Sequence, residues 1–233
     1  MKKTTITILM SLFLVLINSC SSSHLTNSDR SLKFSIQAGA NKGGITENTD
    51  MTVVPGAETP PESTVDAFSG ATHTGINVGI HANMPLKRNQ VESGIDYMYN
   101  QQTFTYADAG NMYIGVRELK VSQIMIPLTY NFVLFRKLAP EADVQIKLGY
   151  TGQLNFVSVS STGILPDYTI KPWSNGATFG ISAFPLQFKN GSKLGFYFDA
   201  YRGTQVYEDY YNQKSFEMPG SSFMKFGLKY QLN

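Results

Sequence analysis

Charge is scarce in this chain of 233 residues: Asp, Glu, Lys and Arg make up 15% of it and nearly cancel at a net +2, where an ordinary soluble domain carries about 25%. No run of Lys or Arg forms a stripe, so a nucleic-acid partner is disfavoured. Cysteine is limited to Cys20, which excludes a disulfide within the chain. Beyond Ile17 no apolar run approaches the roughly twenty residues of a spanning helix. If the chain enters a membrane, strands must carry it. What it has in quantity is 13 Tyr, 15 Phe and 20 Gly, and the aromatics suit pleated, half-apolar strands better than helices.

The first residues place Lys2 and Lys3 before an apolar stretch from Ile6 to Ile17, broken only by Thr7 and Ser11 and followed by small polar residues. Residues 1–20 are therefore read as a secretory signal. Ile17-Asn18-Ser19-Cys20 resembles a bacterial lipobox, which makes Cys20 a lipidation candidate; cleavage by a general signal peptidase near Ser21 is the alternative. Residues 21–31 read as a polar tether and residues 32–233 as one domain.

The informative signal is a period of two. Met224, Phe226, Leu228, Tyr230 and Leu232 share one face, and Lys225, Gly227, Lys229 and Gln231 the other. Val144, Ile146, Leu148 and Tyr150 likewise oppose Asp143, Gln145, Lys147 and Gly149. The habit recurs around Phe34 to Ala40, Ile76 to Met84, Val91 to Tyr99, Ile124 to Phe132, Phe179 to Ala183 and Leu194 to Ala200. The count is eight strands of about the ten residues that a tilted membrane strand needs. Two parity breaks, between Val121 and Ile124 and at Pro185, predict a β-bulge each.

Connections alternate in length. Short turns are predicted at Pro85 to Asn89, Arg136 to Glu141 and Lys189 to Ser192; longer stretches at Asn41 to Thr72, Ala107 to Tyr113, Ser160 to Asn175 and Glu208 to Gly220. That is the plan of a closed, antiparallel, up-and-down transmembrane β-barrel, all-β, with both chain ends on the periplasmic side. Closure follows because every backbone N–H and C=O in lipid needs an internal partner.

The last strand, from Lys225 to Leu232, looks like the C-terminal signal of outer-membrane barrels, with Gly227, the aromatic Tyr230 and the apolar Leu232 in the motif positions. Asn233, not an aromatic, ends the chain. Taken with Gly79, Ile126-Pro127-Leu128 and Leu148-Gly149-Tyr150, the stretch from Leu32 to Asn233 resembles the small porin-like outer membrane protein β-barrel domain family of Gram-negative bacteria. The resemblance implies location in the cell outer membrane, contact with its lipid and recognition by the barrel-assembly machinery. It carries no catalytic, cofactor or metal residues.

Inside a barrel of this size side chains fill the interior. Parity sends Lys33, Lys147, Lys225 and Lys229 inward with Glu92, Asp96, Asp143 and Asp199. The signs balance, which fits a salt-bridged plug better than a polar path for a solute or proton. His73 and His81 fall on one strand face roughly 26 Å apart, too far to share a metal, and no spacing pairs His81 with a nucleophilic Ser. Leu165-Pro166-Asp167-Tyr168 reads as a plain turn. Tyr207, Glu208, Asp209, Tyr210, Tyr211 and Phe216 form an aromatic-acidic loop that fits either an interfacial girdle or an extracellular ligand. Trp173 reads as an interface anchor.

The chain is thus read as a non-enzymatic integral barrel with a filled lumen, no cofactor and loops open to surface contact or a structural role. The alternatives are a small-solute channel, a soluble ligand-binding barrel and a lipid-modifying enzyme. In the soluble barrel the apolar faces would point inward and the lysines outward.

Overall fold

Alternating residues give a strand two unlike faces, and a sheet of such strands gains by putting each face in one environment throughout. The structure, a computed structural model, describes residues 31–45, 51–52, 64–65, 67–86, 89–107, 113–134, 143–163, 170–206 and 220–232. Cys20 and the predicted signal lie outside the described residues, as do the Leu165 turn and the Tyr207 to Phe216 cluster. The strands are β1 Lys33–Ile45, β2 Met51–Thr52, β3 Thr64–Val65, β4 Ala67–Thr72, β5 Gly75–Leu86, β6 Asn89–Ala107, β7 Tyr113–Leu134, β8 Asp143–Ser161, β9 Trp173–Gln187, β10 Lys193–Gln205 and β11 Gly220–Gln231.

Eight of these, β1 and β5 to β11, form one antiparallel sheet in which each pairs with the next, and β11 pairs with β1. The sheet is a closed barrel without edges. β2 and β3 make a separate two-stranded ladder. The short connections sit at one end with the start of β1 and the end of β11. One is the turn from Phe188 to Ser192, where Phe188 N–H donates to the Ser192 carbonyl at 2.8 Å and Gly191 takes a φ of 83° that a side chain would oppose.

Over most of the wall the outer face is apolar. Ile80, Ile95, Leu128, Leu148, Phe179, Phe196 and Leu228 are exposed outward, while Gln37, His81, Asp96, Lys147, Asp199 and Lys229 are buried inside. The orientation of the soluble-barrel alternative is therefore absent. Tyr130 and Tyr230 lie on the outer face near the short-turn end, Tyr99 and Trp173 near the other.

One predicted bulge is present and one is not. On β9, Phe184 and Pro185 stand opposite the single Gly195, and the register against β10 shifts between Leu194 and Phe196. On β7 the pairing with β8 runs unbroken from Arg117 opposite Ser161 to Leu134 opposite Val144, so no bulge separates Val121 from Ile124. Leu119 and Val121 keep their inward parity and are buried. It is the environment that changes along β7, not the register. Beyond the apolar band the outer face becomes polar, with Gln101, Glu118, Lys120, Ser158 and Ser160 exposed. There the inner face packs Ile45, Met98, Phe104, Leu119, Val121 and Phe223 together, with Gln102 and Arg117 buried among them.

The strands also reach further than their apolar faces. β6 and β7 are 19 and 22 residues long, β1 continues to Ile45, and β2, β3 and β4 all fall within the stretch predicted as a loop from Asn41 to Thr72. β4 continues the path of β5 along β6: Thr72 faces Gln102 and Ile76 faces Tyr99. Four residue steps against three make an extra bulge at His73-Thr74. It overturns the shared face predicted for the two histidines, since His73 is exposed and His81 buried.

Candidate functional site

Inward parity on strands far apart in sequence brings one charged cluster together in the lumen. His81 of β5 lies between two carboxylates of β6: its Nε2 is 2.9 Å from Asp96 Oδ1 and its Nδ1 2.9 Å from Glu92 Oε1. Only the Asp96 contact has hydrogen-bond alignment, so the Glu92 contact is an ion-pair distance alone. From β11, Lys225 Nζ donates to Asp96 Oδ2 and Lys229 Nζ to Glu92 Oε1, each at 2.7 Å. Lys147 of β8 donates to Asp199 of β10 at 2.9 Å and stands 3.8 Å from Glu92.

Neutral amides occupy further acceptor positions. Gln37 donates to Asp96 Oδ1 and Asn131 to Glu92 Oε2, both at 2.9 Å. Tyr197 places its ring 5.7 Å from Lys147 Nζ and donates its hydroxyl to Asn77. Three lysines thus face three carboxylates, with His81 between two of them. A buried pair of this kind adds little net stability over an apolar filling, but removing one partner strands the other.

Two glycines make the room. A Cβ on inward-facing Gly79 would sit 1.8 Å from Asp96 Oδ1, and one on Gly180 2.1 Å from Asp199 Oδ1. A side chain at either place would collide with a carboxylate of the network.

Among the predicted inward charges, Glu92, Asp96, Lys147, Asp199, Lys225 and Lys229 meet in this cluster. Asp143 sits nearer the short-turn mouth, where Lys193 donates to it at 2.9 Å and Gln145 at 3.0 Å; Gln145 accepts in turn from Asn131 at 3.4 Å. Lys33 forms no ion pair among the described residues. Gly227 stands opposite Gly39, Tyr230 turns outward against Phe188 at 6.0 Å between ring centroids, and Leu232 N–H donates to the Phe34 carbonyl. The central place of His81, and the parts of Gln37, Asn131 and Gly79, were missed by sequence reasoning. Parity sends these residues inward, but which inward groups meet across the lumen depends on register.

Above the charged cluster the apolar layer fills the same lumen. Gln102 ties this layer to the wall: its amide accepts from Ile45 N–H at 2.9 Å and donates to the Ile45 carbonyl at 3.1 Å, standing in for a strand partner where β1 has passed the end of β5. Asn41 and Asn100 bond each other just below at 2.7 Å.

No protein-family model and no curated protein matches the chain. Among solved structures it is similar to the outer membrane protein OprG from Pseudomonas aeruginosa, at 9% identity and a TM-score of 0.52, over 88% of this chain and 97% of that one. The fold is that of an outer-membrane β-barrel. The transport unit of the autotransporter AIDA-I from Escherichia coli also aligns, at 9% identity and a TM-score of 0.29, over 96% and 97% of the two chains. The lumen of this barrel holds a charged layer toward the short turns and an apolar cluster toward the long connections.

Proposed function

We propose that this chain is an integral, non-enzymatic protein of the outer membrane whose barrel is closed to solutes and whose long-loop end is free for surface contact or a structural role. The observation that carries the reading is the charge cluster spanning the lumen beneath an apolar layer. A solute would have to break paired charges and then pass a packed apolar cluster. Against catalysis, both ring nitrogens of His81 face carboxylates, so neither is directed at a hydroxyl as a general base requires.

In this reading residues 1–20 direct export, Cys20 is a site of lipidation, and the Gly227, Tyr230 and Leu232 motif is offered to the barrel-assembly machinery. Bilayer recordings on purified protein are expected to show no steady conductance; steady currents of a wide pore would replace this reading with the small-solute channel. Insertion has its own test. Leu148, exposed on the apolar outer face, lies in lipid if the band spans the bilayer, and Leu148→Arg is expected to cost about 2–4 kcal/mol near the midplane. Gln145→Arg, on the lumen face, is expected to cost less. Equal costs, measured by urea unfolding in vesicles, would mean that the band does not meet lipid.

A further inference from the structure

At the border where the apolar band gives way to polar residues, two cations stand on the outer wall with no side-chain partner among the described residues. Lys42 of β1 and Arg202 of β10 are both exposed, and neither side chain forms an ion pair or hydrogen bond among the described residues. The strand between them is β11: Lys42 pairs with Met224 and Arg202 with Ser222, so the two residues share an outer face about 12 Å apart, two strand spacings across and two residues along. Directly below, Met224, Phe226 and Phe198 are exposed and apolar.

We infer that this patch binds the headgroup of a phosphate-bearing lipid in the leaflet at the long-loop end, with Lys42 and Arg202 on the phosphate, the Ser222 hydroxyl between them and the acyl chains against Met224, Phe226 and Phe198. The inference rests on the membrane location proposed above. Two observations fit it together: unpaired cations at that height lie at the level of headgroups, and the surface beneath them is of the kind that acyl chains cover. Lys120, on the outer face of β7, is also exposed but has Glu118 two residues along on the same side. That acid makes it a weaker anion site and a suitable control.

The test uses the full chain folded in uncharged detergent micelles, with lipid binding read by native mass spectrometry. Diphosphoryl lipid A is compared with the same lipid stripped of phosphate and with inorganic phosphate. The wild type is expected to retain the phosphorylated lipid. The double variant Lys42→Ser/Arg202→Ser is expected to bind it roughly thirtyfold more weakly, the equivalent of about 2 kcal/mol for two cations near an anionic surface; Lys120→Ser is expected to bind as the wild type does. Equal retention of phosphorylated and stripped lipid, or equal binding by the double variant, would overturn the inference. So would full competition by inorganic phosphate at equal concentration, which would mean a free-anion site. Insertion into phosphatidylcholine vesicles is measured separately on both proteins. If the wild type fails to insert, the membrane reading fails; if both insert and neither discriminates, only the lipid site does.

Discussion

Asp96→Ala is expected to lower the unfolding free energy by about 3–5 kcal/mol, the usual result of removing one member of a buried charge pair. The carboxylate it deletes accepts from Lys225 at 2.7 Å and from Gln37 at 2.9 Å, and lies 2.9 Å from His81. All three partners are buried. Most of the loss comes from Lys225, whose buried ammonium group loses its 2.7 Å carboxylate partner and is left with Asp199, opposite it on β10, as a neighbouring acid. The double variant Asp96→Leu/Lys225→Met is therefore expected to recover much of the deficit, because an apolar pair of similar volume has no stranded charge. Glu118→Ala, exposed on the outer wall beyond the apolar band, is expected to change stability by less than about 0.5 kcal/mol. Urea titration in vesicles, followed through the single Trp173, reads all three. A cost for Asp96→Ala no larger than that for Glu118→Ala would mean that the cluster does not hold the barrel, and the closed-lumen reading would lose its main support. Conductance is expected to stay low in Asp96→Ala, because the apolar layer above remains in place.

How far the sequence could be read depends on which physical signal each feature leaves. The period of two marks every strand whose outer face meets the apolar band, so Ile146, Leu148 and Tyr150 on β8 or Met224, Phe226 and Leu228 on β11 locate their strands and faces without ambiguity. It fails where the environment inverts. Past the band the outer positions become Glu118 and Lys120, the inner ones Leu119 and Val121, and the same unbroken strand imitates a slip of one residue. The upper part of β7 therefore reads as a bulge, and on β6 the period of two reaches only to Tyr99. At Pro185 the same kind of parity break does reflect an extra residue, and the proline itself, which has no N–H for the ladder, is the local sign that separates it from the break on β7. The histidines show a further limit: the bulge at His73-Thr74 leaves no signal in composition, and it alone turns His73 away from the face of His81. For the lumen, parity supplies the list of inward charges but not their heights. Lys33 and Lys229 are alike by parity, yet only Lys229 reaches the cluster, since strand tilt and register decide which inward residues share a level.

The inverted segment leads to the second large effect. Val121→Asp is expected to destabilise the barrel by about 3–5 kcal/mol or to prevent folding, although it adds a carboxylate to an inner face that elsewhere holds carboxylates. Val121 is fully buried within the cluster that contains Leu119, Met98 and Phe223, and across the strand pair it faces Val157 of β8. An aspartate there loses its hydration among apolar neighbours, and the buried cation on the same inner face, Arg117, lies two inward positions further along β7, where it is engaged by Ser161 and the Tyr106 ring. The comparison is Ser158→Asp, one residue further along β8 on the outer wall, exposed and directly opposite Lys120. The same new charge there meets solvent and a cross-strand cation, and it is expected to be neutral or slightly stabilising, by a few tenths of a kcal/mol. If β7 instead carried a bulge between Val121 and Ile124, residue 121 would face outward and Val121→Asp would be tolerated at this height. The two substitutions therefore decide between inversion of environment and slip of register. Refolding yield from urea into vesicles, followed by the unfolding midpoint of each variant, gives the answer: near-equal midpoints support the slip, and a large deficit confined to Val121→Asp supports the inversion.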